Sequence, residues 1–161
     1  MYGNTPPDEG DCQVVLNSPS DRSGLVLLAV SAHPKRAMKI NIRTNDTVLT
    51  ATLLGSKAAR DFASLLPLTL TMADLFRREK YARLPRAISE DGKRMHAYEL
   101  GEIAYWSPGP DVAIFYRDDG QRIPNPGIVV LGRVEGSVEA LDRPCSTPVT
   151  FELADHSEGR R

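Results

Sequence analysis

Residues 101–136 read GEIAYWSPGPDVAIFYRDDGQRIPNPGIVVLGRVEG, and the rest of the chain has to close around them. Three apolar runs, at 103–106, 112–116 and 128–131, are divided by Ser107-Pro108-Gly109-Pro110 and by a loop from Asp118 to Pro126 containing Gly120 and Pro124. Short runs of β-branched and aromatic residues bounded by Pro and Gly read as strands rather than helices. Gly132 interrupts the third run, which marks a bulge or the close approach of another backbone.

Toward the N-terminus, Ile40 and Ile42 alternate with polar neighbours, and residues 48–54 are rich in β-branched side chains. Asn45-Asp46 lies between them, a pair that tolerates the left-handed conformations a two-residue hairpin turn requires. Ser56 is placed to cap a helix. Ala58, Phe62, Leu65 and Leu66 then fall on one face and Lys57, Arg60, Asp61 and Ser64 on the other, an amphipathic helix that Pro67 ends. Leu68, Leu70 and Met72 alternate with Thr69 and Thr71, the period of a half-buried strand. From Arg77 to Arg94 regularity is lost: seven Lys or Arg stand against Glu79, Glu90 and Asp91, and a solvated loop is expected. Toward the C-terminus, Ser137 caps a short helical turn with Val138, Ala140 and Leu141, stopped by Pro144. Val149, Phe151 and Leu153 form the last strand. Strands that do not alternate regularly with helices exclude a doubly wound sheet. The expected fold is mainly β, a closed antiparallel barrel with one main amphipathic helix at its mouth and one short helix.

The 161 residues suit one domain, 41% hydrophobic and 25% charged. A formal charge of −1 gives no general attraction to nucleic acid or an anionic membrane, and no run reaches the ~20 apolar residues of a membrane span. Residues 1–37 are too polar to order themselves and read as a disordered leader, with a start at Met38 as the alternative. The barrel is expected over 38–154 and a flexible tail over 155–161. The apolar run at 24–30 resembles a signal-peptide centre, but Asp8, Glu9, Asp11 and Asp21 precede it. A cytoplasmic location is therefore expected, with export as the alternative. Cys12 and Cys145 are widely separated and read as free thiols. His33, His96 and His156 have no second ligand at metal-binding spacing, and no nucleophile elbow or phosphate loop occurs, so no metal, cofactor or catalytic residue is assigned.

The runs TATLLGSKAARDFASLLPLTLTMADLFRREKYARLPRAIS, GEIAYWSPGPDVAIFYRDDG and GIVVLGRVEGSVEAL resemble the small bacterial and archaeal cyclophilin-like domain proteins. The resemblance spans residues 38–154. It implies an eight-stranded barrel with two helices, as in peptidyl-prolyl isomerases. Isomerases of that fold carry a Phe-His-Arg stretch on one strand and Phe-Met-x-Gln on the next, and neither occurs here. The expected function is therefore a noncatalytic binding module for a small molecule or an extended peptide. A divergent prolyl isomerase using another arginine, Arg117 or Arg60, is the alternative. A third reading is an accessory partner of a flavodoxin-like redox protein, because similar domains are sometimes joined to such proteins.

The candidate binding residues are Glu79, Tyr81, Tyr105, Tyr116, Arg117 and Arg133. Strand alternation sends Tyr105 and Trp106 to opposite faces, and likewise Phe115 and Tyr116, so these side chains cannot all share one groove. An arginine beside aromatics on a strand can grip a carboxylate or a peptide carbonyl with its planar fork, although a surface ion pair is its commoner fate.

Overall fold

The computed structural model describes residues 37–154. The expected leader, with Cys12 and the apolar run at 24–30, and the expected tail lie outside the described residues. Strands β1 (Met38–Arg43), β2 (Val48–Leu53), β3 (Leu68–Leu75), β4 (Glu79–Arg83), β5 (Arg94–Met95), β6 (Glu102–Trp106), β7 (Asp111–Phe115), β8 (Ile128–Glu135) and β9 (Thr147–Leu153) form a single antiparallel sheet. Eight of them close into a barrel in the ring order β1, β2, β8, β6, β7, β4, β3, β9, the last pairing with β1 again. The two-residue β5 pairs with β8 outside that ring.

Alternation fills the barrel. Ile40, Ile42, Ala51, Leu53, Ile103, Ile114, Leu131 and Phe151 are fully buried in one cluster. Helix α1 (Lys57–Ala63) plugs the mouth: Ala58, Ala59 and Phe62 are buried, and the Phe62 ring meets Phe151 edge-on at 5.5 Å. Its start is held by Ser56, whose Oγ accepts from the Ala59 amide at 3.2 Å. Burying a Phe at this junction stabilises the fold by about 2 kcal/mol. The short helix is a 3-10 turn, Glu139–Leu141, and Ser137 Oγ accepts from the Glu139 amide. Gly132 has both features its position suggests. The β6–β8 register shifts between Ile103 and Ala104, and a Cβ at Gly132 would lie 2.3 Å from the Thr52 carbonyl oxygen.

Three expectations are corrected. The stretch after Arg77 is not a solvated loop: it contains β4, and Arg78, Glu79 and Lys80 are buried. Polarity hid the strand because both of its faces carry charges that find partners inside the fold. The left-handed backbone is not at Asn45-Asp46, where the Thr44 amide donates to the Thr47 carbonyl at 2.8 Å across an ordinary turn. It falls instead at Phe76 and Arg77, both with φ of 55°, in the turn joining β3 to β4. Residues of this size rarely adopt that conformation. Finally, Cys145 is in a disulfide rather than free, since sequence separation carries no information about distance in space.

Candidate functional site

The outer face of β4, β7, β6 and β8 carries a second, smaller apolar cluster of Ala104, Ala113, Phe115, Ile123 and Ile128, with Tyr81, Tyr98 and Trp106 packed against it. Register explains its shape. Ala113 lies opposite Tyr81 on β4 and opposite Ala104 on β6, Phe115 lies opposite Glu79, and Trp106 lies opposite Asp111. Two adjacent alanines between rows of large side chains leave a depression of about 320 Å³. The β3–β4 turn walls it with Leu75, Phe76 and Arg78, and the loop after β7 contributes Ile123 and Pro124.

Arg78 and Glu79 are the polar centre of this groove. The Arg78 side chain is only 10% exposed. Its Nε donates to Glu79 Oε2 at 2.9 Å, its Nη2 lies 2.8 Å from the same oxygen in the ion pair, and Nη1 lies 3.4 Å from Asp119 Oδ2. The guanidinium carbon sits 5.5, 5.4 and 5.8 Å from the ring centres of Phe76, Tyr98 and Phe115, a cation–π arrangement that suits a weakly hydrated guanidinium. Tyr98 stacks on Phe115 at 4.2 Å, and its hydroxyl donates to Asp119 Oδ1 at 2.6 Å. Burial pushes the Tyr98 hydroxyl up to about 12, while the bond from Tyr98 holds the Asp119 carboxyl below its ordinary range. Burial raises Glu79, and the Arg78 charge opposes that rise. At the far end Asp111 faces Arg83 at 3.8 Å, and the Arg83 side chain is 74% exposed.

The six residues expected at a site do not meet in one place. Glu79 and Tyr81 line the groove. Tyr105 points the other way, into the barrel core, where its hydroxyl accepts from the Ile88 amide at 3.3 Å. Tyr116 and Arg133 border a different depression of about 440 Å³, with Leu100, Val138, Glu139 and Asp142. Arg133 is exposed and pairs with Glu99 at 2.7 Å, and Arg117 pairs with Asp142 at 2.6 Å. Tyr116 also belongs to a network at the barrel end, its hydroxyl donating to Asp74 Oδ1 and pushed up to about 12 by burial. Lys80 joins the same network. Its Nζ lies 3.4 Å from Asp74 Oδ1 and donates to the carbonyls of Arg143 and, at 2.8 Å, Cys145. Burial lowers the Lys80 ammonium, against the pull of Asp74.

Sequence reasoning missed Phe76, Arg78 and Asp111. The one hint was an Arg-Glu pair two residues before an aromatic, in a stretch whose charge disguised its burial. Among the described residues no group of three or more His, Cys, Asp or Glu gathers to hold a metal, and His96 Nδ1 lies 3.0 Å from the Ile123 carbonyl.

The barrel has counterparts among known proteins. The model of the Cyclophilin-like family matches residues 42–152. The solution structure of a hypothetical protein from Archaeoglobus fulgidus is similar at 26% identity and a TM-score of 0.62, over 77% of this chain and 100% of that one. No curated protein matches.

Proposed function

Because the chain belongs to the cyclophilin-like family, we propose that it is a noncatalytic binding module whose ligand sits in the outer-face groove, with Glu79 and Tyr81 among its contacts. The observation that carries this reading is the groove's make-up: a preformed concavity, mostly apolar and aromatic, with a few polar groups fixed at its ends. Arg78 is held by Glu79, Asp119 and three rings, so the site's main cation is positioned before any ligand arrives. A small molecule, or one or two side chains of an extended peptide, matches the volume. Tyr105 supports the floor from within, and Tyr116, Arg117 and Arg133 serve the separate depression at the barrel end.

The test uses the chain's single tryptophan, Trp106, which lines the groove. Fragment titrations followed by its fluorescence should return ligands whose response disappears in Ala113→Leu, which fills the floor. Ligands that bind Ala113→Leu as well as the wild type would place recognition elsewhere. The presence of an arginine in the groove favours one second reading, a divergent prolyl isomerase in which Arg78 polarises the prolyl amide. A protease-coupled proline peptide assay separates the two: turnover faster than the uncatalysed tens of seconds, lost in Arg78→Ala but not in Arg117→Ala, supports the isomerase.

A further inference from the structure

The side chain of Glu79 is 9% exposed, and the hydrogen bond from Arg78 Nε and the close approach of Nη2 both fall on one of its oxygens, Oε2. No described residue donates a hydrogen bond to the other oxygen, Oε1. It is not sealed in either, because among the described residues no fully buried side-chain nitrogen or oxygen lacks a partner. Oε1 therefore opens onto the groove that Glu79 lines. An acceptor oxygen in so apolar a setting gains most from a donor that brings its own charge.

The surroundings select the sign of that charge. Arg78 stands against Glu79 and Asp111 in the lining, with Asp119 behind it. Its Nε and Nη2 are committed to Glu79, so an anion would have to pull the guanidinium off its partner. Phe76, Tyr81, Trp106 and Phe115 line the same space, and aromatic faces attract cations. Phe76 is 74% exposed at the lip, with the Arg78 guanidinium carbon 5.5 Å from its ring centre.

From this geometry we propose that the groove takes a small organic ammonium ion with a flat apolar body, its N–H donating to Glu79 Oε1 and its body lying over Ala113 among the rings. The inference rests on the reading of the groove as the ligand site and adds the chemistry of the ligand. Three probes of one shape test it: benzylammonium, benzyl alcohol and benzoate, each titrated against Trp106 fluorescence and the amide resonances of Tyr81 and Ala113. Benzylammonium should bind about tenfold more tightly than the alcohol, the worth of one charge-assisted hydrogen bond, and benzoate most weakly. Glu79→Gln should bring the ammonium to parity with the alcohol. Equal affinities, a preference for benzoate, or an ammonium preference that survives Glu79→Gln overturns the proposal and leaves the groove standing as a site. Absence of any response at Tyr81, Ala113 and Trp106 to all three probes removes the groove reading, and the proposal with it. The three-probe comparison runs on the wild type, so it stands even if the variant folds poorly.

Discussion

The β3–β4 hairpin feeds two polar clusters, one on each side of the barrel wall, and they differ in what they leave open. Inward, Lys80 reaches Asp74 and two backbone carbonyls, and Tyr116 closes on the same Asp74 oxygen. Outward, Arg78 engages one oxygen of Glu79, and Glu79 lines a cavity. Both clusters are buried and both contain a cation beside a carboxylate. Burial of charge alone therefore does not mark a site: a network with its partners supplied from within holds the fold together, and on the reading proposed above the one with an open acceptor receives a donor.

The largest effect that would sharpen this contrast is at the closed cluster. Lys80→Met keeps the side-chain volume but strips Asp74 of its cation and two carbonyls of their donor, and should cost about 3 kcal/mol in urea unfolding. Ligand response at Trp106 should survive in the folded fraction; a loss below about 1 kcal/mol would erase the distinction between the clusters. Next, Ala113→Leu acts on the open cluster alone. Affinity for benzylammonium should fall at least about tenfold, with a stability change under about 1.5 kcal/mol because the added methylenes enter empty space. A smaller gain is expected from Arg77→Gly in the turn that divides the two clusters. Relief of its left-handed backbone should stabilise the protein by about 1 kcal/mol. The lost pair with Asp142, 3.3 Å apart and half exposed at Arg77, is too solvated to offset that gain.

The smallest effect is in acid, where Asp142, paired with Arg77 and Arg117, and Glu79 have opposite signs. The Asp142 carboxyl is held low, first by its bond from Arg117 and then by Arg77. Its contribution is present above the unfolded carboxylate range and disappears as pH falls through the folded value, so Asp142→Asn should lose less stability on acidification than the wild type. Glu79 is raised by burial. Its contribution is present below the unfolded range and disappears as pH rises through the folded value. Glu79→Gln should therefore lose more stability on acidification. Identical acid titrations of wild type and both variants would show that neither carboxyl senses its cluster.

The barrel was legible because alternation at Ile40, Ile42, Val149 and Phe151, and the cap and face of the Phe62 helix, are local patterns, although the helix ends at Ala63 rather than running on to Pro67. The groove was only half legible. Glu79 and Tyr81 could be singled out, but the depression between them arises from Ala104 and Ala113 becoming neighbours, and register between strands is not written in either strand. Strand β4 escaped for a related reason: Arg78, Glu79 and Lys80 look solvated until their partners Asp119, Asp74 and the carbonyls near Cys145 arrive from distant positions. Tyr105 and Tyr116 were correctly set apart from Trp106 and Phe115 by alternation, yet which set faced the core depended on closure of the ring.

That closure has a further consequence. Each of the eight ring strands has a hydrogen-bonded neighbour on both sides, and the strand outside the ring, β5, is two residues long. Among the described residues no ring strand is left with a wholly unpaired edge, so a foreign strand has little ladder to extend here. Ring closure thus limits the commonest route by which sheets join one another into aggregates.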